Sequence, residues 1–566
     1  VHQALKYLDK KCLKVYYKYT SMKVGYVIKE ATSEYFYFVV DPKERYSVGI
    51  GSIVKVRIGD SFYFGIIEDL KSEAIEEERL FDYEAIELLY GQMKKSQYLI
   101  IGKAIFIGVI KNGKILQEKP KTPPVPGDEV FLPEEEEVSK IYSFEEKVLS
   151  IPLGKINLQN KEFIVDLNIK NLIIRHTGIF GITGSGKSTT VAHIISELSK
   201  KNIPILLFDI HRDYILSFEN SVIITFSKRE KVFIEKLITE KNKKNVIVYN
   251  AKLPLKYIKD YMESFLGISG KQAPHVYSLL YRILSLEEGK APKFMDKLLE
   301  MVNKRDPSQI FEKYKNREDV IRSLQSRLLR IKDWMLFPRN VDDMGENVDE
   351  LFNKLLEDIR NFSISDYNIV KEENGEVYLE ESNKFIPKVI IFDLYPLSIE
   401  EQRILIDILL EIAYEKYKSW KFNNKTDILG IVIEEAHRFA SKNSEVSSRI
   451  SLIAREGRKF GLGLILVSQV PSNIIEDITS QLNTFILLKI INPKDLEFIR
   501  KTCPYLSREY FEALTKLETG SCLAVGLALK NPAILKVIKS VEVGGAEEDI
   551  DNIIRERILY GSKTNS

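Results

Sequence analysis

The stretch Gly181-Ile-Thr-Gly184-Ser-Gly186-Lys187-Ser188-Thr189 decides the fold. It fits the pattern G-x-x-x-x-G-K-[ST] and adds a third glycine. Positions without a Cβ let backbone N–H groups converge on phosphate oxygens, and the helix expected over Val191–Leu198 points its positive end at the same anion. An apolar strand, Thr177–Ile182, leads into the loop. Gly181, Thr183, Gly184, Ser185, Gly186, Lys187, Ser188 and Thr189 are therefore the expected phosphate cradle. Lys187 is expected on the β- and γ-phosphates of a nucleotide and the Ser188 hydroxyl on Mg²⁺.

Working outward, further buried-strand runs stand at Ile203–Asp209, Val246–Tyr249, Val389–Leu394, Ile428–Ile433, Leu464–Ser468 and Thr484–Lys489. Helical segments separate several of them, which predicts an α/β core with a mostly parallel sheet. Upstream the pattern is different. Short runs at Tyr26–Ile28, Tyr35–Val40, Ile53–Ile58 and Phe62–Ile67, with turn signals at Gly59-Asp60 and Asn112-Gly113, predict a small barrel or sandwich. The expected boundaries are an extension over 1–21, a β-barrel over 22–118 and a linker over 119–150. The linker holds a Pro-rich stretch, Pro120–Pro126, and an acidic run, Glu134–Glu137, read as solvated loop. The core is expected over 151–250 and 387–541, split by a helical insertion over 251–386 whose one strand signal is near Val377–Leu379. One helix of the insertion is expected to align Leu324, Leu328, Ile331 and Met335, with Arg322, Arg327, Arg330 and Lys332 mostly on other faces. A polar tail fills 542–566. The folded part is expected to begin near Met22.

The core strands carry chemistry at their ends. Ile431-Val-Ile433 runs into Glu434 and Glu435. Adjacent residues at a strand end face opposite ways, so the two acids take different tasks. Glu434 is expected in the Mg²⁺ water shell and Glu435 on the attacking water. The basic run Ala454-Arg455-Glu456-Gly457-Arg458-Lys459 precedes a strand that ends in Ser468 and Gln469. That polar tip can sense the γ-phosphate, and the arginines can stabilise transition-state charge, from a neighbouring subunit if the copies form a ring. In Phe208-Asp209-Ile-His211-Arg212-Asp213-Tyr214, either Asp209 or Asp213 can support the metal shell. His211 and His437 are read as loop hydrogen-bonders rather than zinc ligands.

Composition narrows the partners. The chain has 566 residues, 44% hydrophobic and 29% charged, so it can bury a sizeable core. Lys and Arg number 83 against 81 Asp and Glu, so a nucleic-acid surface must be local. Three cysteines, Cys12, Cys503 and Cys522, are too scattered for a disulfide framework or a zinc cluster. No apolar run reaches 18 residues. The expected location is the cytoplasm, away from any membrane.

The wording of these elements resembles the HerA family, archaeal hexameric DNA translocases and helicases of the HerA–FtsK superfamily. The matching stretches are Met22-Lys-Val-Gly-Tyr-Val-Ile, Arg175-His176, Gly184-Ser-Gly-Lys-Ser188, Phe208-Asp209 with His211 and Tyr214, Val432-Ile-Glu-Glu-Ala-His437, and Ala454-Arg-Glu-Gly-Arg-Lys-Phe-Gly461 with Val467-Ser-Gln469. The resemblance runs from about Met22 to Val537. It implies a P-loop (RecA/FtsK-like) ATPase core with an N-terminal barrel like that of rotary ATP synthase subunits, using ATP and Mg²⁺. It also implies a homo-hexamer on double-stranded DNA, contacted mainly through phosphates in a central channel. End resection and recombinational repair follow, with a NurA-like nuclease and the Mre–Rad complex as partners. Carried over by residue, Lys187 binds phosphate, Glu435 is the catalytic acid, Gln469 senses the γ-phosphate and Arg458 is the finger acting in trans. Arg175 is a second arginine near the nucleotide, and Asp209 supports the metal. Two departures stand out. The family usually reads His-Gly-Glu-Tyr where this chain has His211-Arg212-Asp213-Tyr214, and the segment between Glu435 and Arg458 is somewhat short. A conjugation or secretion ATPase of the TraC-like kind, or a mobile-element paralogue, is the alternative.

Overall fold

The computed structural model describes residues 22–74, 98–111, 114–158, 161–254, 257, 334–337, 345–360, 367–373, 376–381, 385–442, 444–503, 506 and 508–544. Residues 1–21, the expected turn residues Asn112-Gly113, most of the insertion and the residues beyond 544 lie outside them. The chain divides into two compact units.

The first unit takes described residues within 1–168, 505–517 and 521–537. Its barrel strands are β1 (Lys23–Ala31), β2 (Tyr35–Val40), β3 (Ile53–Ile58), β4 (Ser61–Ala74), β5 (Tyr98–Lys111), β6 (Lys114–Leu116) and β7 (Glu129–Phe131). Six of them close in the order β1-β7-β3-β4-β5-β2, and β6 is appended to β5. Alternation explains the lining: Phe36, Phe38 and Val40 of β2 point inward onto Val24, Val54, Val56 and Phe106. Gly59-Asp60 joins β3 to β4 in register, with Ile58 opposite Ser61 and Gly59 at φ +61°. At Gly25 a Cβ would lie 1.9 Å from the Val39 carbonyl oxygen, so the β1–β2 approach requires glycine.

The stretch expected as a linker is structured. Glu129–Phe131 is the strand that closes the barrel between β1 and β3, and the acidic run opens a helix, Glu135–Tyr142. Acids in a first helical turn offset the partial positive charge there. Glu137 also accepts the Glu134 N–H (2.7 Å) and pairs with the buried Lys55 (2.7 Å). Further along this unit, β8 (Ser150–Leu158), β9 (Lys161–Asn168), β21 (Ser521–Gly526) and β22 (Ala533–Val537) form an antiparallel ladder in the order β21-β22-β8-β9. Residues 151–168 therefore belong with the barrel unit rather than the core.

The second unit holds β10 (Thr177–Phe180), β11 (Ile205–Asp209), β12 (Ser221–Thr225), β13 (Val246–Lys252), β14 (Glu346–Asn347), β17 (Val389–Asp393), β18 (Leu429–Ile433), β19 (Leu462–Ser468) and β20 (Thr484–Leu487). They run in the order β14-β13-β12-β17-β11-β18-β19-β10-β20, and the resolved pairings are all parallel. β15 (Tyr367–Glu373) and β16 (Glu376–Glu381) form a separate antiparallel hairpin inside the insertion, on the expected strand signal. The helix aligned on Leu324, Leu328 and Ile331 lies outside the described residues; Met335 sits in a turn whose N–H donates to Glu401 Oε1 (2.6 Å).

Because the core strands are parallel, their C-terminal ends share one edge. That edge gathers the phosphate loop after β10, Asp209 on β11, Asp393 on β17, Glu434 after β18 and Gln469 after β19. The opposite edge is fixed by close backbone packing. Gly461, entering β19 at φ +90°, leaves a Cβ only 1.8 Å from the Asp427 carbonyl oxygen. Gly461→Ala is expected to cost about 3 kcal/mol and lower the midpoint of thermal unfolding; an unchanged midpoint contradicts this packing.

Candidate active site

The loop 181–186 turns at two left-handed glycines, Gly184 (φ +73°) and Gly186 (φ +99°), before the helix Lys187–Lys200 begins. Its entry is tied down: the Gly181 N–H donates to Ser468 O (3.2 Å) and the Ile182 N–H to Lys489 O (2.9 Å). Ile182 O then accepts from Ser185 Oγ (2.6 Å) and Lys187 Nζ (3.0 Å). A Cβ at Gly181 would come within 2.8 Å of Leu488 Cβ. Ser188 and Thr189 lie in the first helical turn, whose amides have no intrahelical acceptor and remain available to an anion. Burial lowers the pKa of Lys187, while Glu435, Glu434 and Asp213 act to raise it.

The acids face this loop from two strands. Ser188 Oγ donates to Asp213 Oδ2 (2.8 Å), which makes Asp213 the carboxylate beside the expected cation ligand. Asp209 is fully buried and spends its oxygens on the turn: Oδ1 accepts the N–H groups of His211 and Asp213 (both 3.2 Å), and Oδ2 that of Tyr214 (3.0 Å). Burial pushes its pKa up to about 7. Asp209 thus shapes the turn that presents Asp213. Glu434 accepts a hydrogen bond from the buried Tyr214 hydroxyl, and burial pushes its pKa to about 8.

Glu435 stands apart. It has a left-handed backbone (φ +46°), is 8% exposed, and its Oε2 has no hydrogen-bond partner among the described residues. His437 Nδ1 lies 3.2 Å from that oxygen and 3.2 Å from Ser468 Oγ. A strained backbone and a buried oxygen that accepts no hydrogen bond, beside Lys187 of the phosphate loop, suit a base that must take a proton from water. Gln469 Oε1 accepts from Thr183 Oγ1 (2.7 Å), so the tip of β19 and the loop already touch.

The arginines lie elsewhere. Arg458 is exposed and precedes β19, whose seven residues span about 20 Å, while Gln469 follows it. Arg175 likewise precedes β10, so neither arginine reaches its own phosphate loop. His176 fixes this second edge. Its Nδ1 accepts the Leu464 N–H (2.9 Å), so Nε2 carries the proton and donates to Ala454 O (2.9 Å). The contacts of Asp213 with Ser188 and of Tyr214 with Glu434 escape sequence reading, although both residues sit in a motif it singles out. Asp393, at the tip of an apolar run, had the same signal as Asp209.

Residues 151–413 match the family described as the central domain of helicase HerA. A probable helicase of Methanocaldococcus jannaschii is 26% identical over 91% of this chain and 90% of its own length. A DNA double-strand break repair helicase HerA of Sulfurisphaera tokodaii is 28% identical over 92% of this chain and 93% of its own. Among solved structures, the plasmid coupling protein TrwB with ADP and Mg²⁺ aligns over 72% of this chain and 93% of its own, at 12% identity and a TM-score of 0.44.

His176 gives a pH test. Burial is the main cause that lowers its pKa, from 6.5 to about 4, with Arg458 and Arg175 adding to it. The folded state therefore holds it neutral, and this contribution is present above about pH 6.5 and lost as pH falls towards 4. Wild type is expected to lose up to about 3 kcal/mol more than His176→Gln over that window. Parallel stability curves for the two proteins contradict the assignment.

Proposed function

The chain belongs to the HerA group of P-loop ATPases, and from that premise we propose that it hydrolyses ATP where two copies meet and uses the energy to move along double-stranded DNA. The observation that carries this reading is the split of one machinery across two edges of one sheet. Lys187, Ser188, Glu435 and Gln469 share the C-terminal edge, and Arg458 and Arg175 share the other. A complete site needs the second edge of a neighbour, and a contact between unlike edges repeats head to tail until it closes. A hexameric ring is the proposed closure.

The residues present fit a Mg²⁺-nucleotide. The loop's glycines leave backbone room, Lys187 offers a cation, Asp213 adjoins Ser188, and an unpaired Glu435 oxygen remains for water. Ser188 would hold Mg²⁺ directly, with Asp213 and Glu434 through water; when bound, Mg²⁺ neutralises charge on the β- and γ-phosphates. Glu435 Oε2 orients a water and accepts its proton as the oxygen attacks the γ-phosphorus. The bond to the β–γ bridging oxygen breaks, releasing ADP and phosphate. Lys187 and the neighbour's copy of Arg458 stabilise the charge that spreads over the γ-oxygens. Gln469, bonded to Thr183, relays the presence of the γ-phosphate to β19, whose far end leads back to Arg458.

DNA in the ring is proposed to be held through its phosphates. The role in end resection and recombinational repair rests on the family resemblance and the relatives' repair function. So do the NurA-like nuclease, docked at the barrel, and the Mre–Rad complex. No helix among the described residues is long and apolar enough to cross a membrane.

Lys187→Ala is expected to abolish nucleotide-dependent activity. Glu435→Gln should bind ATP normally and turn it over about 10²–10⁴-fold more slowly. Arg458→Ala should lose about 10³-fold in turnover while still assembling, as read by ATPase assay and sedimentation; normal hydrolysis by Arg458→Ala removes the trans-arginine step. Affinity for duplex DNA should fall by orders of magnitude between about 50 and 200 mM salt, and binding indifferent to salt contradicts the phosphate contacts.

A further inference from the structure

The turn Asp209–Tyr214 carries an arginine where the backbone favours glycine. Arg212 has φ +65°, a left-handed conformation that L side chains rarely adopt. Its side chain shows why the position holds. Nε and Nη2 fork onto Asp393 Oδ1 (3.0 Å) and Oδ2 (2.7 Å), and Nη1 meets Glu230 (2.7 Å). The guanidinium also lies over the Tyr395 ring, 4.7 Å from its centroid.

Asp393 is fully buried and has further donors in Thr225 Oγ1 (3.0 Å) and the Tyr395 N–H (3.3 Å). Arg212 therefore bolts the turn to the ends of β17 and β12 and to the helix Lys228–Glu240. A buried ion pair is weak evidence for stability. A planar fork, however, fixes orientation as well as distance.

We infer that Arg212 is a positioning residue: its fork on Asp393 holds the turn at the height from which the short Asp213 side chain reaches Ser188. This rests on the proposed function, in which Ser188 and Asp213 form the cation side of the ATP site. Arg212 is not a phosphate ligand, because its guanidinium is committed to two carboxylates. The next residue, Asp213, receives Ser188 Oγ at 2.8 Å, and its own carbonyl accepts the Gly544 N–H (3.1 Å). Aspartate is the shorter acid, so its reach depends on where the backbone is held. A glutamate, one methylene longer, would reach Ser188 from a turn held less firmly.

The test is a cycle of Arg212→Gly, Asp213→Glu and the double variant in the full-length protein, with Asp393→Asn as an independent cut of the same fork. Turnover, the Mg²⁺ concentration for half-maximal turnover, binding of a fluorescent ATP analogue with and without Mg²⁺, and thermal unfolding are measured. Glycine suits φ +65°, so Arg212→Gly relieves the backbone while removing the fork. It and Asp393→Asn should each raise the Mg²⁺ requirement about 10-fold or more, the cost typical of losing an outer partner of a metal ligand, and leave Mg²⁺-free nucleotide binding within about twofold. The double variant Arg212→Gly/Asp213→Glu should recover most of the Mg²⁺ dependence. The inference is overturned if Arg212→Gly and Asp393→Asn shift only the unfolding midpoint, if they weaken nucleotide binding equally with and without Mg²⁺, or if the longer acid restores nothing. A Lys187→Ala protein that still turns over ATP would instead sink the proposed function, independently of this cycle.

Discussion

Three acids, Asp213, Glu434 and Glu435, act on the one ammonium of Lys187 at the C-terminal edge of the parallel sheet, with Asp209 buried behind them, and the rest of the site is arranged around that cluster. Asp213, Glu434 and Glu435 all act on Lys187, and Asp209, Asp213 and Glu435 all act on Glu434. Unit charges about 4 Å apart still interact by about 4 kcal/mol at an effective dielectric near 20. The fold handles this by giving each acid a different environment. Asp209 is spent on backbone N–H groups, Glu434 on a tyrosine hydroxyl and Asp213 on a serine hydroxyl, while Glu435 keeps one oxygen unpaired. Environments that differ this far produce different tasks from one residue type. In the proposed function, Mg²⁺ and a neighbour's arginine would supply the positive charge that offsets both these acids and the nucleotide's phosphates.

The second constraint is directional. A parallel strand has its loops at two ends, and a side chain that precedes β19 stays a full strand length from one that follows it. Arg458 and Arg175 are on the wrong edge for their own nucleotide, and His176 clamps that edge rigidly to β19 and to the carbonyl of Ala454. The same geometry that separates the arginines from the loop suits them to the open site of a neighbour. In the proposed ring each subunit's chemistry would depend on the next, and β19 has Arg458 before one end and Gln469 after the other.

Much of this was legible in the sequence. The seven expected core strands are all present, and the phosphate loop, its helix, Glu434, Glu435 and Gln469 lie at the C-terminal edge they form. What was missed has physical causes. β12 is a five-residue buried run, Ser221–Thr225, between charged segments, too short for its period to speak. β7 is three residues in a Pro-rich stretch, and only barrel closure makes it a strand. The acidic run looked solvated because its helix-capping task and its pairing with Lys55 are long-range facts. Arg175, expected near the nucleotide by resemblance, precedes β10 and so lies at the edge opposite its own phosphate loop. Asp213 was left open because it is a shorter acid than the one the family usually has, and its contact with Ser188 is a tertiary fact.

The central claim is that the catalytic unit is shared between two copies. Mixing two dead proteins tests it most directly: Lys187→Ala, which still supplies Arg458, and Arg458→Ala, which still supplies Lys187, combined one to one in rings verified by co-purification of differently tagged chains. With the site divided between neighbours, about one interface in four is complete, so the mixture should hydrolyse ATP at roughly a quarter of the wild-type rate while each parent stays inactive. A mixed ring as silent as its parents contradicts the account.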